Sequence, residues 1–198
     1  KIMKNLFKFS LVLGVALLTM NVQASDIDFS LGVKKENGKI ITFVLNDAKK
    51  LDLSIYDAKD RLIHSEKVTS ENVIKTYDLK DLPDGIYYLE AESELKISKY
   101  KISIVGKSAL LSETSILDIY KPVFEEKDGL LTVSILNAAK SPAYIKIYDH
   151  EDNEVYDSGM LKDERISKNF DVTNVVSEGY TFIITYDNKS FTKTFASK

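Results

Sequence analysis

Tyr148-Asp149-His150-Glu151-Asp152-Asn153-Glu154 is the densest run of ligand-type side chains in the chain. A calcium ion takes six to eight oxygen ligands from loops of this kind, and Asp149, Glu151 and Asp152 are the carboxylates that would supply them. The run lacks the glycine and the regular spacing of a calcium loop. Its counterpart, Tyr56-Asp57-Ala58-Lys59-Asp60-Arg61, places two cations in the same position. Both stretches therefore read first as solvated hairpin turns, with calcium at Asp149, Glu151 and Asp152 as the weaker alternative.

Other chemistry finds less support. The two histidines, His64 and His150, fall in a strand and a turn. A Ser-His-Asp relay needs a histidine oriented by a third group, and zinc needs three or four converging ligands. Neither arrangement is suggested. The absence of cysteine excludes thiol catalysis, cysteine-held metals and disulfide staples. Acids are spread through turns, with no pair set to face across a cleft as glycoside hydrolysis requires. There is no glycine-rich phosphate loop. Asn188-Lys189-Ser190 matches a glycosylation sequon but reads as a hairpin turn. No catalytic residue, cofactor or metal is assigned, and the expectation is a protein that is not an enzyme.

Contact chemistry is better represented. Eleven tyrosines and no tryptophan are too many for two small cores to bury entirely, and exposed tyrosines make good contacts with proteins and sugars. Tyr120, Tyr144 and Tyr148 are the surface candidates. Tyr144 and Tyr148 share one face of a strand, opposite Ile145 and Ile147, with Lys146 between them.

The elements that position these residues are short strands. Ile41, Phe43 and Leu45 alternate, as do Leu51, Leu53 and Ile55, and then Tyr100, Ile102 and Ile104 against Lys99, Lys101 and Ser103. Period 2 with a polar outer face is the signature of a half-buried antiparallel strand. No helical periodicity competes beyond the first residues. Asn37-Gly38 predicts a type I′ hairpin. Much of this pattern occurs twice. Asn37-Gly38-Lys39-Ile40 lies over Asp128-Gly129-Leu130-Leu131, Leu53-Ser54-Ile55-Tyr56-Asp57 over Ile145-Lys146-Ile147-Tyr148-Asp149, and Gly85-Ile86-Tyr87 over Gly179-Tyr180-Thr181. About seven strands per copy predict two tandem antiparallel β-sandwiches of immunoglobulin or fibronectin-III type. The first is expected over 25–106 and the second over 107–198, divided where alternation stops near Val105-Gly106.

Asp81-Leu82-Pro83-Asp84-Gly85-Ile86-Tyr87 reads as a tyrosine corner. In such a corner a tyrosine early in a late strand returns its hydroxyl to the backbone a few residues upstream. Leu82, Pro83, Gly85 and Tyr87 are its members. Pro83 fixes φ, and Gly85 allows a close or left-handed turn. Thr181 stands at the matching place of the second copy, with Val176-Ser177 for Leu82-Pro83, so the second sandwich is expected to be the less stable.

Residues 1–24 read as a secretory signal peptide. Lys1, Lys4 and Lys8 precede an apolar run from Leu11 to Leu18, and Val22-Gln23-Ala24 supplies a cleavage pattern. Their removal leaves 24 basic against 30 acidic residues, a net charge of −6. Scattered lysines on an acidic chain exclude the concentrated basic face that nucleic acid requires. No later segment is apolar enough to insert in a membrane.

Leu53-Ser54-Ile55-Tyr56, Leu82-Pro83-Asp84-Gly85-Ile86-Tyr87-Tyr88-Leu89 and Lys101-Ile102-Ser103-Ile104 together resemble the C-terminal sorting domain of type IX secretion cargo from Bacteroidetes. The resemblance implies a small β-sandwich, export, and a Gram-negative source of that type. The expected function is a binding or structural role at the cell envelope or outside the cell, through contact with a partner protein. The alternatives are a carbohydrate-binding module or a small secretion cargo whose second copy is a degenerate sorting domain.

Overall fold

The computed structural model describes residues 28–47, 49–172 and 179–196. The proposed signal peptide and the Val176-Ser177 comparison lie outside them. Strands are the only regular elements among the described residues. In chain order they are β1 (Ser30–Asn37), β2 (Ile40–Asn46), β3 (Leu51–Asp57), β4 (Leu62–Val68), β5 (Val73–Asp78), β6 (Gly85–Glu92), β7 (Lys96–Val105) and β8 (Ser108–Leu111). They continue as β9 (Leu117–Tyr120), β10 (Val123–Lys127), β11 (Leu130–Leu136), β12 (Tyr144–Tyr148), β13 (Glu154–Asp157), β14 (Arg165–Asp171), β15 (Gly179–Tyr186) and β16 (Lys189–Ala196).

All pairings are antiparallel, and they build two sandwiches with one strand order. In the first, β1-β2-β5 faces β4-β3-β6-β7; in the second, β10-β11-β14 faces β13-β12-β15-β16. Alternation explains each core. Ile41, Phe43 and Leu45 from one sheet meet Leu53, Leu89 and Ile102 from the other, all fully buried. Val133 and Ile135 meet Ile145, Phe182 and Ile184 in the second. There the Phe182 ring sits edge-on to Phe124, Phe170 and Phe195 at centroid distances of 5.8, 5.4 and 5.6 Å, a favoured aromatic geometry.

The first hairpin corrects the turn expected from Asn37-Gly38. Asn37 pairs with Ile40, so the two loop residues are Gly38 and Lys39. Only Gly38 has positive φ, at 65°, which is the type II′ rather than the type I′ pattern. A glycine is required there for a second reason, since a Cβ would lie 3.3 Å from the Lys107 carbonyl oxygen. Asp128-Gly129, with both φ positive at 51° and 76°, is the type I′ turn. The two hairpins are thus out of step by one residue. Leu131, Val133 and Ile135 correspond to Ile41, Phe43 and Leu45, not to Ile40, Thr42 and Val44. With a period of 2, a slip of one exchanges core for solvent.

The sandwiches interlock. β8 turns back onto the second half of β7, and Ala109 and Leu111 enter the first core, beyond the boundary expected at 106/107. β9 then pairs with the first half of β7. Tyr100, Ile102 and Ile104 point into the first sandwich, so Ile97 points out of it. Ile97 and its β9 partner Ile119 are buried in the second core instead. The outer edge of β7 is therefore covered along both halves. β16, which takes the place of β7 in the second sandwich, ends its sheet. Its Lys193 pairs with the inward-facing Phe182 and stands over the Phe195 ring at 5.8 Å.

Candidate functional site

Pro83 and Gly85 bring the chain into β6, and the Tyr87 hydroxyl donates to the Pro83 carbonyl at 3.0 Å. Tyr87 is buried, and Leu82 packs against the first core. The flanking groups are also engaged. Lys39 Nζ donates to the Leu82 carbonyl at 2.8 Å, and the Gly106 amide donates to Asp84 Oδ2 at 2.6 Å. This stretch is occupied with holding the corner. Gly85 is not in the left-handed region, and a Cβ there would meet only Tyr87 at an ordinary 3.7 Å. The structure also moves its counterpart. Ile55 pairs with Leu89 and Ile147 with Phe182, so Tyr180, not Thr181, occupies the place of Tyr87. Tyr180 packs on the second core, and the expected loss of the corner tyrosine from that sandwich is withdrawn.

The acidic turn is built by one carboxylate. Asp149 Oδ1 accepts the backbone amides of Glu151 and Asn153, each at 2.9 Å. Asn153 Nδ2 adds a bond to Oδ2 at 3.1 Å. These hydrogen bonds, the Asn153 side chain first, hold the Asp149 carboxyl below its usual range. Asp57 does the same in the first sandwich, accepting the Lys59 and Arg61 amides at 2.8 and 3.0 Å. The shared Tyr-Asp of both copies was the available signal for this clamp. Among the described residues no group of three His, Cys, Asp or Glu is placed to hold a metal, and the Asp149 carboxylate is taken up by the turn itself. His64 lies exposed on β4, its ring 5.5 Å from that of Tyr77.

The three candidate tyrosines divide between two features. Tyr144, Lys146 and Tyr148 share the solvent face of β12, in register with Thr185, Ile183 and Thr181 of β15. Those pair in turn with Ser190, Thr192 and Thr194 of β16. The result is a face of tyrosine, threonine and serine around Ile183 and Lys146. Its one cation is neutralised locally: Lys146 Nζ lies 2.7 Å from Glu154 Oε2 and 3.2 Å from Asp157 Oδ2, and Tyr148 donates to Glu154 at 3.2 Å.

At one end this face meets a cleft of about 500 Å³ lined by Ser141, Tyr144, Thr185, Asp187, Asn188, Lys189 and Ser190 among others. Asp187 and Asn188 form the β15–β16 turn, both with positive φ, at 49° and 58°. Ser141 is fixed by a buried neighbour. Asn137 is fully buried, accepts from the Ser141 amide at 3.1 Å and donates to the Ser141 carbonyl at 2.8 Å. The Asp187 amide donates to Ser141 Oγ at 3.3 Å.

The cleft opens at the junction of the sandwiches. The buried Tyr186 hydroxyl donates to the Tyr120 carbonyl, so Tyr120 works at the junction through its backbone. Burial, first, and then the Asp187 carboxylate push the Tyr186 hydroxyl pKa up. Lys189 Nζ lies 2.8 Å from Glu90 Oε2 of the first sandwich. Lys99 approaches the other Glu90 oxygen at 3.5 Å and stands 4.4 Å from the centre of the Tyr88 ring. The sequence reading missed Glu90, Lys99, Asn137 and Lys189. Only the three-dimensional meeting of segments 99 residues apart identifies the Glu90–Lys189 pair.

Residues 37–105 match the secretion system C-terminal sorting domain. The match runs from the end of β1 through β7 and includes the corner. It stops before β8, β9 and the second sandwich. A sorting domain of this kind marks an exported protein, carried to the cell surface or outside the cell. A solved structure titled "Biofilm associated protein - BSP domain" shares 13% sequence identity over 83% of this chain, at a TM-score of 0.28. This chain spans 29% of the length of that one. No curated protein matches. Among the described residues no helix is long and apolar enough to cross a membrane.

Proposed function

We propose that the chain is an exported, non-enzymatic binding protein of a Bacteroidetes-type bacterium, acting at the cell surface or outside the cell. In this reading the first sandwich serves export, and the second makes contact with a partner protein. The observation that carries it is the β12-β15-β16 face. Tyrosine, threonine and serine there supply contact area with little side-chain entropy to lose. Lys146, already paired with Glu154 and Asp157, adds no unsatisfied charge. A sheet face is favoured over a sheet edge because Lys193 guards β16.

A photocrosslinking amino acid placed at Thr192 tests this in the native host, with Ile74, 64% exposed on the first sandwich, as the control position. The expected result is a discrete protein adduct from Thr192 only, lost on Tyr148→Ala. Equal adducts from both positions, or an adduct indifferent to Tyr148→Ala, would remove the face from consideration.

A further inference from the structure

We propose that the cleft beside Tyr144 is a binding site for a neutral saccharide of one or two units. This goes beyond the partner-face reading and does not depend on it. The volume of about 500 Å³ lies within the usual range of small-molecule sites. The chemistry of its walls narrows the class. Tyr144, 37% exposed, offers a partly apolar ring for the C–H face of a pyranose. Asn188 can donate and accept, Asp187 accepts, and the hydroxyls of Thr185 and Ser190 do both. A sugar's ring of hydroxyls needs such a mixture.

The same walls argue against other ligands. The cleft's one cation, Lys189, is held 2.8 Å from Glu90, and Asp187, two residues before it, shares the lining. A phosphate or sulfate would therefore meet a lysine already engaged by Glu90, with an acid close by. A hard cation would find one carboxylate, short of the oxygen set it needs.

The site is also pre-organised, which limits the ordering cost of binding. Buried Asn137 holds Ser141 of the lining, and Ser141 holds the Asp187 amide. Asp187 and Asn188 both occupy left-handed backbone, so the turn that presents them has few alternatives. The Lys189–Glu90 pair ties the rim to the first sandwich.

Calorimetry of the full chain with glucose, galactose, mannose, N-acetylglucosamine, maltose, cellobiose and lactose tests the proposal. At least one sugar should bind with a Kd of about 1 mM or tighter. Asn188→Gly is the informative variant, because Asp-Gly is a preferred type I′ pair and the turn should keep its shape. It should weaken that sugar by about tenfold or more without lowering Tm. Tyr148→Ala, outside the cleft, should leave sugar affinity unchanged while removing the protein adduct, so the two readings fail separately. No heat from any of these sugars up to about 50 mM, or an unchanged affinity in Asn188→Gly, would overturn the site. Preference for glucose 6-phosphate over glucose would overturn its neutral character.

Discussion

Ile97 and Ile102 lie five residues apart on one strand and should report on different sandwiches. Ile102 is fully buried in the first core and Ile97 is 4% exposed in the second. Truncating a buried isoleucine to alanine costs about 2–5 kcal/mol, depending on how far the surroundings collapse. Ile102 is enclosed by both sheets, so Ile102→Ala should fall near about 3–4 kcal/mol. Ile97 is held between Glu92 of β6 and Ile119 of β9, and Ile97→Ala should cost about 2–4 kcal/mol. Hydrogen exchange read by mass spectrometry on the full chain separates the two effects, because it assigns local stability strand by strand. Ile102→Ala should accelerate exchange in β2, β3 and β6. Ile97→Ala, although it lies in a strand of the first sandwich, should accelerate β11, β12 and β15. The interlocking of the sandwiches is falsified if Ile97→Ala loosens only β2, β3 and β6.

Three further outcomes follow from local geometry. Tyr87→Phe removes the hydroxyl bound to Pro83 and should lower unfolding free energy by about 1–2 kcal/mol in urea; a change within error would mean the corner bond contributes nothing. Gly38→Ala imposes a Cβ on left-handed backbone beside the Lys107 carbonyl and should cost more than about 1 kcal/mol, an expectation that an unchanged midpoint would sink. Burial alone would raise the Glu66 carboxyl above its ordinary 4.5, but hydrogen bonds from Lys75 and Tyr77 outweigh it and hold the group lower. A depressed folded value stabilises the protein above the ordinary pKa and is lost as pH falls through the folded one. The stability gap between the native chain and Glu66→Gln should therefore shrink below about pH 4.5, and a gap independent of pH would contradict the pairing.

Strand existence was legible because burial on one face writes itself as period 2. The stretches 40–45, 51–55, 85–91 and 97–105 all became strands close to those limits. The tyrosine corner was legible because a fixed spacing of Leu, Gly and Tyr does one mechanical task. Register was less legible. Asn37-Gly38 resembles Asp128-Gly129, yet the turns differ by one residue, and the same slip put Thr181 where Tyr180 belongs. Similar letters in two copies do not declare which face they occupy; hydrogen-bond pairing does. β8 and β9 escape a sequence reading because four-residue strands carry too few alternations to stand out: Ala109-Leu110-Leu111 is apolar throughout, and Leu117-Asp118-Ile119 alternates only once. The cleft was invisible for a different reason. Tyr144 was picked out for its exposure, but Ser141, Asp187, Asn188 and Glu90 meet only through a sheet and a junction that no local pattern encodes.

The two sandwiches retire their last strands in different ways. β7 is covered by the chain itself, through β8 and β9. β16 keeps its outer hydrogen-bonding groups unpaired by any described strand, and places Lys193 where β7 has the buried Tyr100. A second molecule laid along β16 would close a sheet over that ammonium, and taking an unpaired charge out of water costs several kcal/mol. Head-to-tail growth into fibres is thereby disfavoured. An exported chain can thus display the β16 edge outside the cell and still resist growth along it.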